Sequence, residues 1–284
     1  MKKSSAVLSV ISSVSAIVSA CFGLFYSFGG TQRIVENIYG HQVTLFGDGI
    51  YANDSIFKAG ATKGADIVII PISLLLLITV VFLRRKKYAL PLQSGLLSII
   101  LYASACLVTG ISFNRLFMLY LVQFGSALFA FIISMSELAK CKSFDNPLYD
   151  KRLTGTAVFL ITSGCSALIW LIFIIPTAIS GIPMEIIDVY TTEPAFVIDL
   201  AVILPFAVFC GIGLLRKQAI AYQLAPVMLT MMTGVGILVI FQTVMQSALG
   251  IVLEPEQLFG MVISFIILGT IALVLNIRLL KRMV

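Results

Sequence analysis

Two aspartates, Asp66 and Asp199, stand at the start of two apolar segments that resemble one another. Each is followed by a proline, Pro71 or Pro205, and each segment ends at an arginine. Proline has no amide hydrogen, so the carbonyl four residues earlier lacks its helical partner. Carboxylate and free carbonyl oxygens can bind a cation or a polar solute. We therefore predict a site where the two segments meet, with Pro71 and Pro205 as helix breaks that face the interior or a wet vestibule.

Further oxygen-bearing side chains precede both segments. Asp54 and Glu193 lie before the two aspartates, and each of them follows a tyrosine, Tyr51 or Tyr190. The candidate ligand-binding set is therefore Asp54, Asp66, Glu193, Asp199, Tyr51 and Tyr190, and a metal, if bound, would use Asp66 and Asp199. The alternative is that each aspartate complements the positive N-terminus of its helix, because acidic first turns are common.

Residues for other chemistry are scarce. His41 is the only histidine, which excludes a histidine-rich zinc site and a two-histidine haem. A hydrolase triad is equally hard to assemble. No catalytic residue and no cofactor is indicated. An outer-face metal-dependent enzyme that uses carboxylates alone is the third alternative for function.

The five cysteines include no C-x-x-C pair, so a thiol oxidoreductase is not expected. Residues 18–21, ending at Cys21, resemble the lipidation signal of bacterial lipoproteins. The apolar run continues beyond Cys21 and exceeds the roughly 7–15 residues of a signal segment, which favours a spanning helix.

Composition identifies lipid as the main solvent. Of the 284 residues, 60% are hydrophobic and 11% are charged, and the mean hydropathy is +1.07. A membrane span needs roughly 20 apolar residues, with about 17 as the lower limit. Eight charge-free stretches meet or approach this length, so we predict eight helices, of which the second and sixth are unusually short. The stretches are 4–32, 67–83, 88–114, 116–136, 153–184, 200–215, 218–253 and 257–277.

The distribution of lysine and arginine predicts the orientation. With a cytoplasmic N-terminus, fifteen of the 19 basic residues lie inside, and only Arg33, Lys58, Lys63 and Arg115 lie outside. We expect a multi-pass protein of the plasma membrane with both termini cytoplasmic. The pI of about 9.1 then reflects topology, and nucleic acid is not an expected partner.

Landmarks recur between the two halves at separations of 132 to 135 residues. The pairs are Asp66 and Asp199, Pro71 and Pro205, Arg84 and Arg216, and Pro91 and Pro226. Four spans per half give both halves the same orientation. The predicted fold is an all-α integral membrane protein with eight transmembrane helices, arranged as two tandem four-helix repeats in parallel orientation. The repeats are 1–140 and 155–284, joined by a cytoplasmic linker over 141–154.

The first outer loop, 30–65, is long enough for structure of its own. Residues 41–45 and 46–51 contain β-formers on either side of an Asp-Gly pair, which predicts a hairpin. Asn53, Asp54 and Ser55 supply cap residues for a short helix over 55–63. In the second half, Pro194 suits a first helical position. We predict a small extracytoplasmic cap, hairpin plus short helix, between helices 1 and 2.

Uncharged polar residues inside the spans leave two alternatives open. Gln123 and Gln242 are pathway candidates, although hydrogen bonding between helices is the commoner role for such amides. Ser5, Ser9 and Ser13 form a small-xxx-small pattern that favours close packing, within the chain or against a second copy. A non-catalytic subunit of a homo- or hetero-oligomer is therefore the second alternative for function.

The leading hypothesis for function combines the candidate carboxylates with the predicted repeat. It is a polytopic membrane protein that transports or binds a small polar solute or cation at an extracytoplasmic-facing site between the repeats. Its other partner is the lipid bilayer.

Overall fold

The described part of the chain contains eight helical spans that are each long and apolar enough to cross a membrane, which confirms the predicted number. The computed structural model describes residues 2–140, 153–252, 255 and 258–282, so most of the predicted linker lies outside the described residues. The helices of the first half are α1 (Lys3–Phe25), α2 (Ile56–Val81), α3 (Ala89–Gly110) and α4 (Phe117–Lys140). Those of the second half are α5 (Thr154–Cys165), α6 (Leu171–Ser180), α7 (Pro194–Ile198), α8 (Leu204–Leu215), α9 (Ala219–Ala248) and α10 (Ser264–Lys281).

Two spans of the second half change helix type along their length, and an irregular turn precedes a third. A 3-10 turn, Ser166–Trp170, joins α5 to α6 in the fifth span. A π turn, Asp199–Ile203, joins α7 to α8 in the sixth, and a second π turn, Leu258–Ile263, precedes α10. The four helices of the first half are continuous α-helices.

The second and sixth spans are not short, because their helices begin before the two aspartates. They contain 26 and 22 residues. Ser55 caps α2 by accepting the Lys58 amide, and Glu193 caps α7 by accepting the Ala195 amide. Asp66 is the eleventh residue of α2, and Asp199 lies in the π turn. The alternative that the aspartates are helix caps is therefore wrong.

The loop after α1 contains a hairpin, but its strands differ from the predicted pair. β1 (Arg33–Glu36) pairs antiparallel with β2 (Gln42–Leu45), so one predicted strand is confirmed and its partner lies upstream. Residues 46–51 form no strand because Asp48 organises a turn there, accepting the Ser27 hydroxyl and the amides of Phe28 and Gly30. The short helix over 55–63 is the first part of α2. We call this end of the bundle the hairpin end.

Two glycines bring the two halves into close contact through α2 and α9. A Cβ on Gly64 would lie 2.3 Å from the Phe241 carbonyl oxygen and 2.5 Å from Gln242 Cα. A Cβ on Gly60 would lie 3.0 Å from Gln246 Cα. Glycines four residues apart on one helix face let two backbones approach closely, which matches this interface.

The serine-rich face of α1 packs inside the chain. Ser5, Ser9 and Ser13 are fully buried, and Gln93 of α3 donates to the hydroxyls of Ser5 and Ser9 at 3.0 and 2.9 Å. The helix packs mainly against α2 and α4. These serines therefore pack within the chain, which is one of the two alternatives considered for them.

The two halves also differ in how their first and last spans meet. Apolar cores lie among α1 to α4 and among α5, α8, α9 and α10, with α9 contributing to both. α1 packs extensively against α4, whereas within the described residues no comparable contact joins α5 to α10. None of the residues of α6 is buried. The second half is thus more open than the first.

Candidate functional site

A cavity of about 830 Å³ lies between the two halves toward the hairpin end. Its walls come from α1, α2, α3 and α4 of the first half and from the fifth to eighth spans of the second. Most lining side chains are apolar. The charged side chains that line it are Lys58, Asp66, Asp188, Glu193 and Asp199.

Asp66 is buried against the loop that precedes α2. The Tyr51 hydroxyl donates to its Oδ2 at 2.8 Å, and Lys63, one helical turn earlier, lies close enough for its charge to act on the carboxylate. Gly23 of α1 makes room for this pair, because a Cβ there would lie 2.0 Å from Asp66 Oδ2 and 2.6 Å from the Tyr51 hydroxyl oxygen. The positive charge of Lys63 and the Tyr51 hydroxyl together stabilise the buried carboxylate.

Asp199 is buried beside aromatic rings. The indole Nε1 of Trp170 donates to its Oδ2 at 2.9 Å, and the Tyr102 hydroxyl of α3 also bonds the carboxylate. Trp170 lies 4.7 Å from Phe196, centroid to centroid, and Phe173 lies 6.4 Å from both rings. The 3-10 turn carries Trp170 and the π turn carries Asp199, so both irregular segments contribute to this contact.

Polar contacts between the halves close the hairpin end. The Tyr190 hydroxyl donates to Asp54 Oδ1 at 2.8 Å, and Lys58 Nζ donates to Glu193 Oε2 at 2.6 Å. Lys58 also lies 5.3 Å above the Tyr190 ring. We call Asp54, Lys58, Tyr190 and Glu193 the latch.

Burial raises the pKa of Asp54 to about 6, although the Ser112 amide and the Tyr190 hydroxyl oppose the shift. Its Oδ2 is buried, and no group among the described residues hydrogen-bonds to it. Burial likewise raises the pKa of Asp188 and of Tyr190. In the latch, the hydrogen bonds to Asp54 therefore do not fully offset the cost of removing its charged carboxylate from water.

The structure divides the predicted ligand-binding residues into two groups. Asp66, Asp199 and Glu193 line the cavity, whereas Asp54, Tyr51 and Tyr190 do not and instead bond within the surrounding shell. Gln123 and Gln242 both line the cavity. Gln123 also accepts the Ser19 hydroxyl at 2.8 Å, which is the interhelical hydrogen bond considered for such amides.

The two prolines lie on the outside of the bundle. Pro71 and Pro205 are exposed and neither lines the cavity, so the prediction that their turns face inward is wrong. Pro71 lies within the continuous α2, while Pro205 follows the π turn at the start of α8. A helix tolerates proline on its lipid face because the lost hydrogen bond is adjusted locally by neighbouring backbone.

Several residues in and around the cavity were not anticipated from the sequence. Lys58, which lines the cavity, and Lys63, which does not, belong to α2 rather than to an outer loop. Trp170 and Tyr102 bond Asp199. The Gly60 and Gly64 spacing could have indicated that 55–63 packs as part of a span. No sequence signal pairs Trp170 with Asp199, because the contact depends on two irregular helix segments.

The residues that the structure describes include no group of three His, Cys, Asp or Glu side chains arranged as metal ligands. No protein-family model, curated protein or solved structure matches the chain.

Proposed function

We propose that this polytopic membrane protein binds a small polar or cationic solute in the cavity between its two halves and carries it across the bilayer. The observation that supports the proposal is the cavity of about 830 Å³, into which carboxylates of two different spans open. Ligand sites typically have volumes of about 300–1,000 Å³ and a few polar groups in apolar walls. Ionisable residues inside membrane spans are typical of solute pathways.

The depth of the aspartates supports a site within the membrane. Asp66 lies 15 residues before the end of α2 at Val81, and Asp199 lies 16 before the end of α8 at Leu215. At 1.5 Å per residue these distances are about 22–24 Å. The hydrocarbon core is about 30 Å thick, which supports a position for both carboxylates inside it toward the hairpin end.

The tandem repeat and the orientation belong to the same proposal. Contacts of α1 with α2, α2 with α3 and α3 with α4 have counterparts in α5 with α8, α8 with α9 and α9 with α10. Two parallel repeats would place the site on an axis along the membrane normal. The bias of basic residues supports a cytoplasmic position for both termini and an extracytoplasmic position for the hairpin end.

Thermal unfolding of the purified protein in detergent tests the site. The solutes to be tested are alkali cations, organic cations, neutral polar solutes and anions. The wild type is compared with the double variant that carries Asp66→Asn and Asp199→Asn. A bound solute at about 100 times its Kd should stabilise the wild type by about 2.7 kcal/mol. We expect this stabilisation to be absent from the double variant and present in Glu36→Gln, which removes an exposed carboxylate outside the cavity.

Transport itself requires flux. In liposomes, the wild type should admit the stabilising solute faster than the double variant does. If no solute class stabilises the protein and none crosses faster than through protein-free liposomes, the proposal is wrong.

A further inference from the structure

The two aspartates of the cavity differ in the charges around them. Asp66 has Lys63 nearby, and Lys58 pairs with Glu193. The partners of Asp199 are an indole N–H and a phenol hydroxyl, and within the described residues no ion pair reaches it. A carboxylate in a low-dielectric site is costly without a compensating positive charge. Asp199 is thus the position where a cation from outside the chain would gain most.

Aromatic rings stand beside this carboxylate. Trp170, Phe173 and Phe196 all line the cavity, and adjacent pairs among them are 4.7 to 6.4 Å apart between centroids. Ring faces attract cations, and tryptophan does so most strongly. Quaternary ammonium groups are recognised by this combination of rings, whereas small metal ions require several oxygen ligands.

The rest of the cavity suits apolar substituents. Its other apolar wall residues include Ile69, Val235, Leu238 and Val239. Covering apolar walls with apolar ligand surface favours binding in proportion to the area removed from water. A solute that is charged at one point and apolar elsewhere matches both parts of the cavity.

We propose that the cavity binds an organic monocation with apolar substituents, with Asp199 as its counter-charge and Trp170, Phe173 and Phe196 around the cationic centre. The inference rests on the proposed function and names its substrate class. It also assigns unequal roles to two aspartates that the repeat makes equivalent. Asp199 binds the ligand directly, while Asp66 is held by Tyr51 and Lys63.

The test compares two probes of the same shape and opposite charge, tetraphenylphosphonium and tetraphenylborate. Trp170 is the only tryptophan of the chain, so its fluorescence reports on the site directly. We expect tetraphenylphosphonium to change the Trp170 emission saturably and to raise the unfolding temperature. We expect tetraphenylborate to do neither at equal concentration.

Variants locate the positive charge of the probe. Asp199→Asn keeps an acceptor for the indole and should weaken tetraphenylphosphonium binding at least tenfold, whereas Asp199→Glu should retain the preference for the cation. Asp66→Asn should weaken binding less than Asp199→Asn. If Asp199→Asn does not fold, Phe173→Leu, which alters a half-buried ring, is still expected to weaken cation binding.

The possible outcomes separate this inference from the proposed function. Equal binding of both probes, or a larger loss at Asp66 than at Asp199, overturns the organic-cation assignment. Stabilisation by a neutral or anionic solute alone, sensitive to the cavity variants, also overturns it while preserving a solute site. Absence of binding by every solute class overturns both.

Discussion

Asp66 receives its hydrogen bond from Tyr51, which is almost completely buried and lies outside α2. Tyr51→Phe would keep the ring and remove the donor. The buried carboxylate would then lack one partner, so we expect the free energy of unfolding to fall by about 1–3 kcal/mol. Tyr26→Phe, at a partly exposed ring on the same side of the bundle, should change it by less than about 0.5 kcal/mol. Thermal unfolding of both variants measures the difference, and equal effects would show that the Tyr51 hydroxyl is dispensable.

Asp54 makes stability depend on pH. Because burial raises its pKa to about 6 from 3.8, the folded protein holds a proton that the unfolded chain releases between these values. Its stabilising contribution is complete below pH 3.8 and is lost as the pH rises through about 6. At about 1.4 kcal/mol per pKa unit, the loss is roughly 3 kcal/mol.

Asp54→Asn removes this dependence while keeping an acceptor for Ser112 and Tyr190. We expect the variant to unfold at a higher temperature than the wild type at pH 8, and the gap to shrink as the pH falls toward 4. Unfolding scans of both proteins across this range provide the measurement. A gap that stays constant with pH would contradict the assignment of the raised pKa to Asp54.

At the scale of the helices, the close contact of α2 with α9 depends on glycine residues, and a hydropathy profile does not reveal it. A Cβ at Gly64 would meet the α9 backbone at 2.3 Å, and backbone cannot rotate away as a flexible side chain can. We expect Gly64→Ala to lower the free energy of unfolding by about 1–3 kcal/mol. A Cβ on Gly125, inside α4, would meet no atom within 4 Å, so Gly125→Ala should be neutral or stabilising by about 0.5–1 kcal/mol. Destabilisation of both by the same amount would argue for a general helix effect.

Hydropathy predicted the existence of the eight helices but not where two of them begin. Charge-free windows placed the start of α2 after Asp66, because Lys58, Lys63 and Asp66 interrupt the apolar run. The helix includes all three, since Lys63 lies near Asp66 and Lys58 pairs with Glu193 across the cavity mouth. The sequence alone does not distinguish charged residues that pair within the folded bundle from charged residues in an exposed loop.

At the scale of the whole molecule, the latch joins the two halves at the hairpin end. Lys58 and Glu193 come from different halves, and their side chains are only 14% and 17% exposed. We expect a double-mutant cycle of Lys58→Met and Glu193→Gln to give a coupling energy of roughly 0.5–3 kcal/mol in thermal unfolding. The matched cycle of Lys63→Met with Glu193→Gln should give less, because the charge of Lys63 interacts with Asp66 and Asp48. Equal coupling in both cycles would mean that the effect is not specific to the pair.

The candidate site was predictable only in part at this scale. The recurrence of Asp66 and Asp199 in the sequence identified two residues that line one cavity. The recurrence was informative because the two aspartates lie at similar distances from the ends of their apolar spans. Their different partners were not predictable. Tyr51 arrives from a loop and Trp170 from a 3-10 turn, so each depends on how distant segments pack rather than on local sequence.

The π turn at Asp199–Ile203 has a mechanical consequence for the sixth span. A π turn holds one residue more than the α-helical turn it replaces. Shifting that extra residue along the helix rotates the side chains it passes by about 100°, which is one residue of an α-helix with 3.6 residues per turn. A shift of the π turn past Asp199 would therefore rotate this carboxylate about the axis of the sixth span, with the exchange of only a few backbone hydrogen bonds. The sixth span thus carries an irregular turn at its carboxylate, whereas α2 is a continuous α-helix around Asp66.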